Sequence, residues 1–400
     1  MLYDLIIVGG GAAGLVCAIE TIRKNKNAAV AVIERMPRVG KKILVTGNGK
    51  CNLSNTGVSP DKYNNPFVTD ILKKYDAKAV CGFFESLGLM LREDEEGRVY
   101  PVSSGASSVL DALRFECEKA GAHIICDTSV TSAKKDGGFL VINNGAFKCK
   151  KLVLATGGKS AKVHGSDGSG YALARQLGHS VTPLYPALVP LLSIDPLLKS
   201  LKGVRQGGVT LRLSGGFERE NGEIQFNEDG VSGIIAMEMG AKVNERRAKG
   251  QQTILTIDLL PPAIYGECLG FLLKAKKIKG SLPLDEFLTG IFRKALGIAV
   301  IKKSGLYSSK RKISSLSDGE IEKIEKTIHN FEIEITGTKS FDFSQVTRGG
   351  VCTDEIDPVT LESKICKGLY FAGEIMDVDG LCGGFNLHWA FATGMVNGRG

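Results

Sequence analysis

Gly9, Gly11 and Gly14 stand at G-x-G-x-x-G spacing, and what that spacing can do depends on the residues around it. Tyr3 to Val8 is an apolar run that predicts a buried strand, the stretch after Gly14 predicts a helix, and Ala29 to Ile33 predicts a second strand ending in Glu34. Glycine turns are common in a chain with 50 glycines, so the weight lies in strand, turn, helix, strand and acid arriving in that order. The order describes a dinucleotide cradle. Gly9 permits a tight turn, Gly11 lets the backbone approach a pyrophosphate, Gly14 lets helix and strand pack closely, and the free N–H groups of the helix start face the phosphates. Glu34 lies twenty residues after Gly14, where a carboxylate accepts the hydroxyls of an adenosine ribose. An acid there disfavours a 2′-phosphate, so FAD or NAD fits better than NADP.

Further along, Lys151 to Gly158 reads as a buried strand ending in a glycine pair, aimed at a ligand as parallel strands are at their carboxyl ends. Gly158-Lys159-Ser160 has the tail of a P-loop, but Val153 occupies the position of the first glycine, which disfavours Walker-type nucleotide hydrolysis. Gly368 to Glu374 is a second buried strand ending in glycine and an acid. Gly383 to Gly394 reads as a glycine turn opening a helix whose N-terminus could stabilise negative charge on a reduced flavin. Two residues are weak catalytic candidates. Cys51, in a loop dense in Gly and Asn, could be a redox thiol, although no C-x-x-C partner supports it and packing is the simpler reading. His388, at the start of the last helix, could give a proton, against the simpler reading of a satisfied helix-face residue.

The elements that would carry these residues alternate. Residues 68–90 have helical periodicity, Arg98 to Pro101 is extended, Ser108 to Ala120 is helical with Gly121 as its stop, and Ala122 to Val130 is β-like. Pro183, Pro186 and Pro190 mark a boundary, after which short strands give way at Pro261-Pro262 to helical periodicity as far as Asn330. The expected fold is α/β. Residues 1–189 and 345–400 form a Rossmann-like domain built from both chain ends, 190–260 and 331–344 a small β insertion that the family resemblance given below implies to be β-barrel-like, and 261–330 a helical subdomain nested in it.

At 400 residues with 43% hydrophobic content, the chain can fill two or three domains. No apolar run is long enough to span a bilayer, no signal peptide is evident, and ten scattered cysteines without C-x-x-C spacing argue against a disulfide framework or a metal site. A cytoplasmic location is expected. The net charge of +8 is unevenly spread: between Arg246 and Lys312, fourteen Lys or Arg oppose four Asp or Glu, a balance of +10 that leaves the remainder at −2. That segment is either a solvated surface or the place where an anionic partner docks.

Beyond these local readings, the chain resembles the glutathione-reductase-type FAD superfamily, and within it the bacterial BaiN-like, or aminoacetone-oxidase-family, FAD-binding flavoproteins. The resemblance covers nearly the whole chain. It rests on the opening G-G-G-A-A-G, Thr46-Gly47-Asn48-Gly49-Lys50-Cys51-Asn52, Gly97 to Pro101, Ala155 to Gly158, Tyr185 to Leu191, and Phe371 to Glu374 continuing through Asn386-Leu387. It implies that FAD is the cofactor, with Gly9, Gly11, Ala12, Ala13 and Gly14 at the pyrophosphate, Glu34 and Arg35 at the adenosine ribose, and the backbone of Val130 at adenine. Lys41, Lys42, Thr46, Gly47, Asn48, Gly49, Cys51 and Asn52 would border the ribityl and flavin. Thr156, Gly157, Gly373 and Glu374 would lie toward the ribityl or pyrophosphate, and Gly384, Phe385, Asn386 and Leu387 at the pyrimidine edge. The activity implied is an FAD-dependent reductase, linked to NAD(P)H and acting on an activated C=C bond of an oxo-steroid-like or other small molecule. Alternatives are an oxidase of an amine such as aminoacetone, and a flavin-binding sensor that docks through the basic insertion. One G-x-G-x-x-G unit leaves no separate nicotinamide domain, so NAD(P)H would visit transiently, and a nucleic-acid partner is disfavoured.

Overall fold

Leu5 to Val8 are all buried, and the strand they belong to, Leu2–Val8, lies inside a parallel sheet in the computed structural model, which describes residues 2–399. A strand covered on both faces reads as a continuous apolar run, which is why the sequence shows one here. The chain divides into two compact units, Met1–Tyr185 with Phe341–Gly400, and Pro186–Ser340.

In the first unit the parallel strands run in the order His123–Ile125, Val30–Ile33, Leu2–Val8, Phe147–Leu154, Leu369–Phe371. The start of Phe147–Leu154 also pairs antiparallel with Phe139–Ile142, which pairs in turn with Ala133–Asp136. Register matters for function. Val8 faces Ile33 on one side and Leu154 on the other, and Leu154 faces Phe371, so the residues that follow all four leave the sheet along one edge. The helix Ala12–Lys24 lies against the last helix, Phe385–Arg399, where a Cβ on Gly394 would fall 2.5 Å from the Ala13 carbonyl oxygen. The last helix is buried around most of its circumference, as expected for an element clamped within a domain.

Two sequence expectations change in detail. The periodicity over 68–90 is broken into Thr69–Lys74 and Ala77–Ser86, because the Asp76 carboxylate accepts the Ala79 N–H at 2.8 Å and starts a new helix. The β-like stretch from Ala122 to Val130 forms a strand only over His123–Ile125. The helix Ala106–Ala120 ends where Gly121 turns left-handed at φ 85°.

The second unit carries an antiparallel sheet in the order Phe331–Glu334, Ile254–Asp258, Arg205–Leu213, Phe217–Asn227, Gly230–Ser232, Leu191–Leu192, Gly337–Thr338. Its two outermost strands are neighbours in sequence, so residues 331–338 pair with Ile254–Asp258 at one end and Leu191–Leu192 at the other. The helices Cys268–Lys279, Lys294–Lys303 and Asp318–His329 follow the helical periodicity, the last opened by a capping box of Ser317 and Glu320. Ile234–Glu238 and Gly240–Ala248 are helical where the sequence reading placed only the β insertion. Each unit has its own apolar core. No helix among the described residues is long and apolar enough to cross a membrane.

Candidate cofactor site

The turn after the first strand is shaped by contacts that only glycine permits. Gly9 has φ 108° and a Cβ there would fall 2.4 Å from the Ala155 carbonyl oxygen, while one on Gly14 would fall 2.0 Å from the carbonyl oxygen of Gly9. Gly11 differs: a Cβ there would meet nothing within 4 Å, so space opens directly over the helix start. Gly11 caps the helix with no side-chain hydrogen bond, which leaves the first N–H groups, those of Ala12 and Ala13 among them, turned toward that space.

Glu34 closes one side of the turn. Its Oε2 accepts the Gly10 N–H and its Oε1 the Met36 N–H, both at 2.8 Å, and each oxygen keeps capacity for a further donor. Beside it Arg35 forms an ion pair with Asp167. The Glu34 carbonyl accepts the Thr128 N–H at 3.0 Å, which brings the segment leading to Val130 alongside Glu34. Thr156 and Gly157 follow Ala155, whose N–H is bound by the Val8 carbonyl, and a Cβ on Gly373 would fall 3.2 Å from that of Ala13. The structure thus gathers at one sheet edge the residues expected at the pyrophosphate and the ribose.

The second part of the site is the loop 41–52 with the start of the last helix. Lys42 Nζ donates to Glu374 Oε2 at 2.8 Å, a bond across 332 residues, and Glu374 Oε1 accepts the Thr347 N–H at 2.9 Å. Lys41 is half-buried nearby in sequence. Gly47 and Asn48 are left-handed, Gly49 likewise, and the Cys51 N–H donates to the Thr46 carbonyl at 3.0 Å, so the backbone folds back on itself. Asn52 Oδ1 is buried without a hydrogen-bond partner among the described residues, and it lies 2.7 Å from where a Cβ on Gly384 would sit. Buried acceptors are rarely left empty, so this atom is a candidate partner for a ligand N–H. Phe385 is buried, Leu387 is half-buried, and Asn386 uses its amide on the Gly380 N–H and carbonyl at 2.8 and 2.9 Å. These bonds fix the turn that precedes the last helix.

Neither weak catalytic candidate is free to react. Cys51 is fully buried and burial pushes its thiol up to about 12. His388 is fully buried, with Nδ1 at 2.9 Å from Ser54 Oγ and Nε2 at 2.9 Å from the Tyr75 carbonyl, and burial pulls its pKa down to about 4. Nε2 donates to the carbonyl and Nδ1 accepts from the hydroxyl, so the ring is a neutral peg. Sequence reasoning missed the pair of Arg348 and Asp379, close to Glu374. Asp377-Val378-Asp379-Gly380 was a visible acidic turn, but nothing local announced its arginine.

An open helix start, an acid after the second strand and an unpartnered buried acceptor beside a glycine turn fit FAD, and together with the relatives that follow they make the protein an FAD-dependent oxidoreductase. The chain belongs to the HI0933-like protein Rossmann domain family, whose model matches residues 3–400. It is 36% identical to the 3-dehydro-bile acid delta(4,6)-reductase of Clostridium scindens, over 98% of this chain and 97% of that one. It is 30% identical to the ribosomal RNA dihydrouridine synthase of Haemophilus influenzae, over 97% of this chain and 96% of that protein. In fold it is similar to a 3-ketosteroid delta1-dehydrogenase from Sterolibacterium denitrificans, at TM-score 0.50 and 13% identity across 99% and 98% of the two chains.

Proposed function

We propose that the protein reduces a C=C bond conjugated to a carbonyl group, with NAD(P)H as the source of electrons and an oxo-steroid-like small molecule as substrate. The observation that carries this reading is the full-length likeness to two kinds of reductase. A delta(4,6)-reductase of a 3-dehydro bile acid and a dihydrouridine synthase both saturate a ring C=C bond conjugated to a carbonyl. FAD, when bound, supplies the two-electron chemistry that such a reduction needs. The protein's part is to hold the pyrophosphate at Gly9 to Gly14, the ribose at Glu34 and the ring edge at Asn52 and Gly384, and to keep water from the reacting atoms. Ten scattered cysteines without C-x-x-C spacing suit a cytoplasmic enzyme.

A second reading, a uracil ring within RNA as substrate, draws on the +10 segment between Arg246 and Lys312. One experiment separates the readings. The purified yellow protein is reduced anaerobically by NADH or NADPH and mixed with a 3-oxo-4-ene steroid acid or a uridine-containing RNA, while a separate oxidised sample receives aminoacetone and air without NAD(P)H. Reoxidation by the steroid with loss of its conjugated absorbance supports the first reading, and reoxidation by the RNA the second. Hydrogen peroxide release with aminoacetone, and no response to either unsaturated compound, would replace both with an amine oxidase.

A further inference from the structure

The stretch Gly97 to Pro101 takes no part in the cradle, yet it runs beside the segment that carries the unpartnered Asn52 oxygen. The strand Arg98–Pro101 pairs antiparallel with Ser54–Asn55 on one side, Asn55 opposite Arg98, and with Leu91–Glu93 on the other, Arg92 opposite Tyr100. The pairing continues past the strand end. The Leu53 N–H donates to the Val99 carbonyl at 2.8 Å, so Asn52 and Leu53 pass next to Val99 and Tyr100. Asn55 ties the same small sheet to the turn before the last helix, its Nδ2 donating to the Gly383 carbonyl at 3.0 Å. Cys382, one residue earlier on that turn, lies within electrostatic reach of the Tyr100 hydroxyl. Tyr100 therefore stands beside both the loop that carries Asn52 and the turn that carries Gly384.

Residues opposite each other in an antiparallel pair share a face, which puts Asn55, Arg98, Tyr100 and Arg92 together. Val99 and Pro101, on the other face, are buried, whereas Tyr100 is half-buried and Arg92 exposed. The two arginines are used differently. Arg98 is spent on Asp94 Oδ2 at 2.8 Å and Glu96 Oε2 at 2.9 Å. Arg92 has no carboxylate partner among the described residues; one N–H goes to Ser104 Oγ at 3.3 Å, and the guanidinium lies over the Tyr100 ring, 5.3 Å from its centroid. The Tyr100 hydroxyl likewise has no hydrogen-bond partner among the described residues. The cation over the ring holds phenol and guanidinium side by side. What is left is a pair of donors, one neutral and one charged, without an acceptor and open to solvent beside the cradle.

Fixed donors speed a reaction when they meet an atom that becomes more negative as it proceeds. The carbonyl oxygen of a conjugated C=C compound is such an atom, neutral on binding and charged once hydride adds to the far carbon. We propose that the Tyr100 hydroxyl and the Arg92 guanidinium hold the carbonyl oxygen of the substrate and stabilise the enolate formed there. The proposal rests on the conjugated C=C reductase reading. In the step, the far carbon of the C=C bond takes a hydride originating from NAD(P)H, and the π electrons shift to leave an enolate whose oxygen accepts from Tyr100 and Arg92. A proton from water then goes to the carbon next to the carbonyl. The substrate gains a hydride and a proton, and the nicotinamide is oxidised.

Two measurements on the flavin-loaded protein test this. With the protein oxidised, so that nothing turns over, a 3-oxo-4-ene steroid acid is bound and its C=O stretch is picked out in infrared difference spectra by isotope labelling of the oxygen. The stretch should fall to lower frequency than in water in the parent and return toward the free value in Tyr100→Phe, which keeps the ring under Arg92. In stopped flow, Tyr100→Phe should keep its flavin but lose roughly 100-fold in the limiting rate of reoxidation by the steroid, the scale for one missing oxyanion donor. The steroid concentration giving half that rate should change far less, because the charge develops after binding. Arg92→Gln should slow the same step, and Arg92→Lys, which keeps the charge without the planar fork, should recover part of the loss. A C=O stretch and a reoxidation rate equal to those of the parent in both Tyr100→Phe and Arg92→Gln overturn the proposal and leave the two residues a solvated surface pair. Loss of flavin from Tyr100→Phe overturns it as well, by placing the phenol in the cradle. A parent enzyme that no conjugated carbonyl compound reoxidises overturns the reductase reading first, and the role of these donors with it.

Discussion

Glu34 serves more donors than a binding acid needs to, since its two oxygens already hold the N–H groups of Gly10 and Met36 before any ribose arrives. Removing it strips the turn of its brace as well as the ribose of its acceptor. Glu34→Ala should weaken FAD binding by about 1–3 kcal/mol, the range for leaving buried partners unpaired. Titration of the apoprotein with FAD, followed by quenching of flavin fluorescence, would reveal an unaltered affinity if this is wrong. His388 makes a prediction in pH. Its pKa is pulled from 6.5 down to about 4, so the unfolded chain takes up a proton that the folded one refuses. The stability it contributes is complete above pH 6.5 and is lost as the pH falls toward 4, about 3 kcal/mol in all. Asp379 runs the other way, because its carboxyl is raised from 3.8 to about 6 and its contribution is lost as the pH rises through that interval. The two slopes oppose each other. Urea unfolding between pH 4.5 and 7 should therefore show a steeper acid loss in Asp379→Asn than in the parent, and a shallower one in His388→Gln.

At the scale of elements, the glycine turn separates folding from binding. Gly14→Ala places a methyl against the Gly9 carbonyl, where only backbone could move, and should cost about 1–3 kcal/mol or more of stability together with the flavin. Gly11→Ala meets nothing in the protein and should leave thermal unfolding of the apoprotein unchanged while FAD affinity falls. Equal loss of stability in both variants would show that the space over Gly11 is not reserved for a ligand. This part of the site was legible in the sequence because strand, turn, helix and acid all lie within 34 residues and report their own geometry. The links from Lys42 to Glu374, across 332 residues, and from Arg348 to Asp379, across 31, were not, because an ion pair leaves no periodicity behind. The helix break at Asp76 was hidden for a similar reason: the apolar spacing continues through it, and only the cap shows where one helix stops.

For the whole molecule, charge and connectivity have separate consequences. Lys274 and Lys277 are exposed on the helix Cys268–Lys279, whereas Lys276 on the same helix is engaged with Asp318 at 3.0 Å. Lys274→Glu combined with Lys277→Glu should thus test the charge of this segment without breaking that pair. If the segment gathers an anionic reactant, the double variant should lower kcat/KM for it and flatten the dependence on ionic strength, with flavin content unchanged. Turnover indifferent to both changes would assign the lysines to the solvated surface. Connectivity bears on synthesis. The strand Leu369–Phe371 pairs with Phe147–Leu154, and the last helix packs on Ala12–Lys24, so the first unit is complete only when its final segment has left the ribosome. Until then the nascent chain carries an unpaired sheet edge and an unburied first helix, both open to proteases and to aggregation. Flavin retention thereby reports that the segment Phe341 to Gly400 has been made and has joined the first unit. A chain arrested after Ser340 should emerge colourless, and one released with Phe341 to Gly400 in place should turn yellow.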